Sequence, residues 1–269
     1  MNNITVDGSY FNNSFGLAGA PGERSGVSPI SLAAVEEFQV NVAPFDVRHG
    51  NFVGADVNVV TKSGTNKYTG SAYYIWRNPS LVGKDAGENT FDPGDFKFRT
   101  WGFTGGGPLP FFNFGDDGGP LFISGKDKLF FFTSYEDELT TAPGTTWEAC
   151  PGTGCRTGNV TRVLASDLDQ LSNYLKTNFN YDTGGYQGYP FNTPGKKFLL
   201  RTDYNINVSN KLTFRYMHLD SSTDVLMSNS SSLGFGNRRT RLDALNFQNS
   251  NYSILENIRS FVCEWTSTW

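Results

Sequence analysis

The sequence predicts an all-β protein in which a small compact segment leads into a membrane-type β-sheet. Segments of about ten residues with alternating side chains recur along the chain, as in strands that cross a bilayer at a tilt. The 269 residues include 23 Phe, 12 Tyr and 5 Trp, an aromatic excess that suits the interfacial girdles of membrane barrels. No stretch approaches the roughly 20 consecutive apolar residues of a transmembrane helix, which excludes a helical membrane protein.

Composition leaves a soluble β-protein open as an alternative, and the charge argues against a nucleic-acid-binding protein. An aromatic-rich soluble β-sandwich fits as well, because 38% hydrophobic residues is ordinary for a soluble domain. The net charge is −4 and no block of Lys and Arg forms a polyanion-binding pattern, so we expect no nucleic-acid partner. The densest basic run, residues 238–241, suits a solvated loop or a patch facing a polar lumen.

The first 66 residues predict the short elements of the compact segment. Residues 4–6 form a strand, which an Asn- and Gly-rich loop follows. Ser31 is placed to cap a short helix over residues 32–37. Residues 38–42 alternate as a strand, and the valines of residues 57–60 form another.

A polar turn, Ser63 to Asn66, joins the valine strand to a strand of a different kind. Successive side chains of residues 68–77 point to opposite faces. One face carries Tyr68, Gly70, Ala72, Tyr74 and Trp76, and the other carries Thr69, Ser71, Tyr73, Ile75 and Arg77. At about ten residues, this strand is long enough to cross a bilayer.

Five further strands complete a predicted set of about six. They fall at residues 96–105, at residues 129–136, in a hairpin over residues 197–219, and from Tyr252 onward. In the hairpin, one face suits lipid and the other, with Arg201 among its residues, suits a polar lumen. The same alternation in a soluble sandwich would separate core from solvent.

Two long segments, residues 140–195 and 220–250, are predicted to be outer loops. Within the first, Ser166 opens a capping-box pattern that has Asp169 in place of the usual Glu or Gln. Leu168, Leu171 and Leu175 recur at helical spacing. The pattern predicts a short amphipathic helix whose leucines pack against their own loop.

Three cysteines give a redox expectation. Cys150 and Cys155 flank Pro-Gly-Thr-Gly, and this spacing permits a small disulfide loop in an oxidising compartment, with free thiols as the alternative. Two cysteines without a nearby His or third Cys do not form a zinc site. Cys263 is most simply a small apolar residue of a strand.

Catalytic motifs are not recognisable in this chain. There is no Gly-x-Ser-x-Gly elbow, phosphate loop or His-Glu-x-x-His pattern, and His49 and His218 favour structural or surface roles. The loop aspartates depart from the spacing of an EF-hand, so they suit solvated turns. The sequence therefore predicts a protein that is not an enzyme and needs no cofactor or metal.

An ordered set of segments gives a family resemblance. These are residues 4–8, 29–32, 38–48, 60–66, 158–164, 203–207 and 249–257. In this order they resemble TonB-dependent outer-membrane receptors, most closely the Oar-like branch, from near residue 4 to near residue 265. The ordered set is specific although each segment alone is weak.

The resemblance implies a domain division and a location. Residues 1–66 would be the C-terminal part of a plug domain, and residues 67–269 the N-terminal part of a transmembrane β-barrel in the bacterial outer membrane. Residues 1–8 lack the features of a signal peptide, and six strands fall short of the about 22 of a plugged transporter barrel. Both observations favour a fragment of a longer protein.

The resemblance also implies partners and hinge residues. The full protein would lie in outer-membrane lipid, bind an unknown extracellular ligand and import it with energy from TonB, which would contact a segment preceding residue 1. Family position and turn chemistry indicate a plug hinge that holds the plug against the barrel: Arg48, Gly50, Gly54, Thr61, Lys62, Ser63 and Gly64. The alternatives are an Oar-like surface, adhesion or protein-export barrel, and a soluble secreted β-rich binding module.

Overall fold

Two β-sheets dominate the protein. The computed structural model describes residues 3–12, 21–42, 55–83, 85–86, 89–90, 95–112, 122–227 and 239–268. A sheet of four strands near the N-terminus is called here the small sheet, and a sheet of six strands is called the wall. The all-β fold class and the six antiparallel strands are confirmed.

The small sheet combines parallel and antiparallel pairs. Its strands are β1 (Asn3–Val6), β2 (Ser9–Tyr10), β3 (Val35–Val42) and β4 (Ala55–Thr61), in the order β2-β1-β4-β3. Strands β1 and β4 run parallel, whereas β1–β2 and β3–β4 are antiparallel. Asp7 and Gly8 join β1 to β2 with φ of 47° and 80°, because a two-residue hairpin turn of this kind needs positive φ at both positions.

The predicted helix after Ser31 is shorter than expected. A single 3₁₀ turn covers Leu32–Ala34, and the Ser31 hydroxyl accepts a hydrogen bond from the Ala33 amide as predicted. Strand β3 begins at once at Val35, where the chain pairs with β4. The prediction of helix through residue 37 is therefore wrong, because pairing with β4 satisfies these backbone groups instead.

The wall is an antiparallel meander with longer strands than the sequence predicted. The remaining elements in chain order are β5 (Thr69–Arg77), β6 (Asp85–Ala86), β7 (Asn89–Thr90), β8 (Lys97–Pro108), β9 (Phe111–Phe112), β10 (Phe122–Ile123), β11 (Leu129–Pro143), β12 (Glu148–Cys150), β13 (Val160–Leu164), α1 (Ala165–Phe179), β14 (Pro190–Asn207), β15 (Asn210–Val225) and β16 (Tyr252–Ser267). The wall order is β16-β15-β14-β11-β8-β5. Strand β14 reaches 18 residues, beyond the roughly 9–11 that cross a bilayer.

Side chains alternate between the two faces of the wall as predicted for β5 and for the hairpin. The outer face presents exposed aromatic residues: Tyr74, Trp76, Trp101, Phe103, Phe261 and Trp265. The inner face, which packs on the small sheet, combines apolar and charged residues, among them Leu199 and Arg201 of β14. The outer face therefore suits lipid, and the N-terminal segment covers part of the inner face.

The apolar core lies between the two sheets. Val6, Phe11, Ile30, Ala34 and Val59 of the N-terminal segment cluster with Phe132, Leu199 and Met217 of the wall. These wall residues come from three neighbouring strands, β11, β14 and β15. The cluster is small for a chain of this length, so much of the contact between the sheets is polar.

The excursion between β11 and β14 contains helix α1. The helix begins at Ala165 with Leu164 as N-cap and no side-chain cap, so the predicted capping box at Ser166 is wrong. The helix itself is confirmed, with Leu168 buried and Leu171 exposed, so the predicted packing of the leucine stripe holds only in part. Among the described residues, no helix is long and apolar enough to span a membrane.

Candidate functional site

The predicted hinge residues divide between two parts of the chain. Thr61 ends β4, and Lys62, Ser63 and Gly64 follow it into the connection to β5. The other three, Arg48, Gly50 and Gly54, lie outside the described residues. Thr61 is buried and Ser63 is exposed, so these neighbours have different surroundings.

Asp7 is the centre of a network that joins the small sheet to the wall. Its carboxylate accepts hydrogen bonds from the Thr61 amide at 2.8 Å and the Thr61 hydroxyl at 2.7 Å. Arg215 of β15 donates to Asp7 Oδ2, the oxygen that also accepts from the Thr61 hydroxyl, and to the Val6 carbonyl, the latter at 2.8 Å. The Asp7-Gly8 turn therefore places a carboxylate directly against a buried arginine of the wall.

A second arginine reaches the same place from β14. Arg201 Nη1 donates to the Thr61 carbonyl oxygen at 2.8 Å and lies 3.4 Å from the Asp7 carboxylate. Its Nε and Nη2 bind both oxygens of Asp203 at 2.9 and 3.1 Å, which fixes the plane of the guanidinium. Thr213 and Lys211 of β15 also contact Asp203, at 2.9 and 3.0 Å. Every charge in this network thus has an opposite partner.

The connection from β4 to β5 lies close against the wall. The Lys62 amide and ammonium donate to the carbonyls of Ala34 and Ala33, at 2.9 and 3.0 Å, which fastens the connection to the 3₁₀ turn. A Cβ on Gly64 would lie 2.3 Å from the Phe131 carbonyl oxygen and 2.9 Å from that of Gly107. Glycine at position 64 therefore permits a close approach between two backbones.

A second polar cluster joins the 3₁₀ turn to strands β5, β11 and β14. Glu136 of β11 accepts hydrogen bonds from Ser31 at 2.6 Å, from Lys197 at 2.6 Å, and from the Tyr73 hydroxyl. Lys197 also donates to Glu138 at 2.8 Å. Burying a charge is costly unless it is paired, and here both buried charges are.

A third contact captures the segment before Ser31. Glu256 of β16 accepts hydrogen bonds from the backbone amides of Gly22 and Ser25, at 2.8 and 3.1 Å. The Ser25 and Ser221 hydroxyls are 2.9 Å apart. Val27 packs where Gly195 leaves room, because a Cβ there would lie 2.6 Å from the valine side chain. The Tyr73 hydroxyl of β5 also lies 3.0 Å from that of Ser31, so among the described residues every wall strand except β8 offers a polar side chain to the N-terminal segment.

The contact between the two sheets is incomplete on one side. A cavity of about 700 Å³ separates part of the small sheet from β5, β8 and β11. Its lining is mostly apolar, including Val57, Ile75 and Phe98, with Glu136 and Lys197 at one side. The small sheet is therefore held by the small apolar cluster together with directional polar contacts, and not by a continuous apolar interface.

Most residues of these clusters were not singled out from the sequence. The predicted hinge included Thr61, Lys62 and Gly64. It did not include the charged residues of the clusters: Asp7, Glu136, Lys197, Arg201, Arg215 and Glu256. The available signal was a charged residue on the inward face of a strand, which Arg201 displays. That face was assigned to a polar lumen, and the partner of each charge lies far away in sequence.

The excursion between β11 and β14 has its own cross-links. Cys150 and Cys155 form a disulfide with Cα atoms 5.1 Å apart, and Cys263 is free and exposed. Arg156 and Arg162 both contact Asp243, at 3.0 and 3.4 Å, which joins this excursion to the segment before β16. Burial raises the pKa of the Tyr186 hydroxyl, which donates to Asp169 of α1 at 3.0 Å.

Comparison with known proteins identifies the class. Residues 60–261 match the family described as outer membrane beta barrel domain. This match covers most of the chain, so the chain belongs to that family, and it is an outer-membrane protein. The soluble, secreted module considered from the sequence is thereby excluded.

One curated relative and one solved structure are similar over part of their lengths. The chain is 28% identical over 144 residues to the TonB-dependent transporter Oar of Myxococcus xanthus, which is 52% of this chain and 12% of that protein. The outer membrane transporter YddB from Escherichia coli matches with a TM-score of 0.47 and 11% identity, over 85% of this chain and 26% of that one. The resemblance to the Oar branch is confirmed, and the chain spans about an eighth of that relative. These relatives are transporters and outer-membrane barrels, not enzymes.

Proposed function

We propose that the chain belongs to a TonB-dependent outer-membrane transporter in which the small sheet, with residues 1–66, is the C-terminal part of the plug. The wall, within residues 67–269, is the first part of the barrel that surrounds it. The full-length protein binds an extracellular ligand and admits it when TonB displaces the plug. It has no catalytic activity of its own.

The supporting observation is the kind of contact between the small sheet and the wall. Asp7, Ser31 and Ser25 each bind a charged or polar side chain of the wall at hydrogen-bond distance. Hydrogen bonds and ion pairs of this kind exchange with water when the surfaces separate, so the net contribution is about 1 kcal/mol for a neutral pair and about 1.5–3 kcal/mol where a charged group takes part. Such an interface can open and close again at modest cost. Separating a large apolar interface would expose hydrophobic surface to water, which costs much more.

Ser25 provides a test of plug movement in the full-length protein. It is buried against Ser221, and cysteine is close to it in size. We expect Ser25→Cys to react faster with a membrane-impermeant maleimide in energised cells than in cells that lack TonB. The readout is the labelled fraction with time, after subtraction of protein without the added cysteine.

Ser166→Cys is the matched control, because Ser166 is exposed on α1 and should react equally in both strains. If Ser25→Cys also reacts equally in both strains, TonB does not move the plug. That result would favour the surface, adhesion or export barrel over transport.

A further inference from the structure

A polar cavity of about 420 Å³ lies at the end of the wall from which the long excursions leave. It is bounded by the first residues of β14 and β16, the last residues of β15, and parts of the two excursions. The lining residues that matter here are Asp182, Phe191, Asp224, Asn249, Asn251 and Tyr252. This volume is within the usual range of small-molecule sites.

The cavity is built by backbone contacts between the two excursions. The Gln248 amide donates to the Gly185 carbonyl at 2.6 Å, and the Asn249 amide donates to the Thr183 carbonyl at 3.0 Å. Gly184 has φ of 65°, and a Cβ there would lie 3.0 Å from Gln248. The backbones of the two segments are therefore fixed relative to each other. This fixes the positions from which the side chains around the cavity project.

Two carboxylates give the cavity a negative potential. Asp224 accepts hydrogen bonds from the Ser253 hydroxyl at 2.7 Å and the Asn192 amide at 3.2 Å, and Asp182 accepts one from the Gly184 amide at 3.0 Å. Within the described part of the chain, neither forms an ion pair with Lys or Arg. This charge disfavours phosphate and carboxylate ligands. The described residues also contain no group of three acidic, His or Cys side chains placed to hold a metal.

A buried acceptor and two aromatic rings complete the lining. The Asn251 side-chain oxygen is buried and has no hydrogen-bond partner among the described residues, while its amide nitrogen donates to the Tyr189 hydroxyl at 3.3 Å. A buried acceptor without a donor is unfavourable, so a rotation of this side chain toward the cavity, where a ligand hydroxyl could donate to it, would relieve the cost. Tyr252 is 47% exposed and, with Phe191, offers apolar ring surface beside these acceptors.

We propose that this cavity binds an uncharged, hydroxyl-rich saccharide. Carboxylate and amide oxygens accept hydrogen bonds from sugar hydroxyls, and charged acceptors form the stronger ones. The ring faces cover the C–H surfaces of a pyranose. This proposal rests on the proposed function in one respect, which is that the cavity faces the cell exterior. Saccharide binding itself requires no movement of the plug.

The test uses the full-length protein purified in lauryldimethylamine oxide, a detergent without a sugar headgroup. The protein is applied to an array of immobilised neutral oligosaccharides and their sulfated or uronic-acid counterparts. We expect retention on neutral glycans and not on their anionic counterparts. Asp182→Asn and Asp224→Asn should each weaken retention about tenfold, because each replaces a charged acceptor by a neutral one.

Asp167→Asn is the matched control, since it is the same substitution on the first excursion, at an exposed position of α1 outside the cavity lining. It should leave retention unchanged. Absence of retention on every neutral glycan would overturn the proposal, as would equal retention of the Asp182→Asn and Asp224→Asn variants. The array contains no TonB, so failure of transport and failure of saccharide binding are separate results.

Discussion

Asp7 combines a strained turn position with an ion pair to the buried Arg215. Its φ of 47° is tolerated by Asp and Asn, and its carboxylate neutralises Arg215, which is 3% exposed. Asp7→Asn keeps the turn but removes the charge, so the buried Arg215 guanidinium loses its anionic partner and keeps only neutral acceptors such as the Val6 carbonyl. We expect the full-length protein to lose about 3 kcal/mol of unfolding free energy, measured by urea unfolding in detergent.

Asp243→Asn is the control for this substitution. Asp243 also pairs with two arginines, but the pairs are roughly half exposed, so the expected loss is below about 1 kcal/mol. Equal losses for the two variants would contradict the role given to Asp7. The comparison separates burial from simple removal of a carboxylate.

At the residue scale, the sequence predicted the local role of a residue better than its contacts with residues far away in the chain. The glycine at position 64 and the serine at position 31 were assigned to a turn and a cap, because local rules decide those roles. The Asp7–Arg215 contact joins residues far apart in sequence. Alternation indicates that an arginine lies on the inner face but not which carboxylate faces it.

At the scale of elements, the connection from β4 to β5 is the sharpest constraint. Gly64→Ala would place a methyl group 2.3 Å from the Phe131 carbonyl oxygen, which belongs to a paired strand and cannot move away freely. We expect a loss of about 2 kcal/mol in unfolding free energy. Urea unfolding of the full-length protein in detergent measures it.

Gly83→Ala is the control, because a Cβ there meets nothing within 4 Å and the change should stay within about 0.5 kcal/mol. A Gly64→Ala variant as stable as Gly83→Ala would mean that the connection does not lie against β11 as described. Neither glycine has a positive φ, so the comparison isolates the close approach.

The positions of the long elements followed from sequence pattern, and their ends did not. The six wall strands and α1 lie where alternation and leucine spacing placed them. Strand β11 continues past Glu136 to Pro143 because β14 pairs with it along that whole length. The end of a strand therefore depends on its partner strand as well as on its own sequence. Likewise, β3 replaced the expected helix after Ala34 because β4 was there to pair with it.

At the scale of the molecule, the wall has two edges. Strand β5 pairs only with β8, and β16 only with β15, within the described residues. Unpaired strand edges attract other strands, and lipid does not satisfy their backbone groups. We expect these 269 residues expressed alone to self-associate, and light scattering should report a broad distribution of large particles. A monodisperse monomer would contradict this expectation.

The class of the whole protein was predictable because it depends on repeated features. Alternating strands, aromatic residues on one face and an ordered set of segments each recur over the chain, so no single error removes the conclusion. The candidate site was less predictable because it is made where two sheets meet. Among the described residues, it draws on the turn after β1, the end of β4, the segment that leads to the 3₁₀ turn, and every wall strand but β8, and that assembly depends on the three-dimensional arrangement.

The parallel pairing of β1 with β4 has a mechanical consequence. The two strands start at the same end, with Asn3 opposite Asp56, and β4 finishes at Thr61, which Arg201 holds to the wall. A force that pulls on Asn3 and is opposed at Thr61 acts along the direction of both strands. It therefore loads the hydrogen bonds between the two strands in shear, all at the same time. The pair would transmit force to the wall as a stiff tether before it yields, so the wall contacts would break before the small sheet unravels.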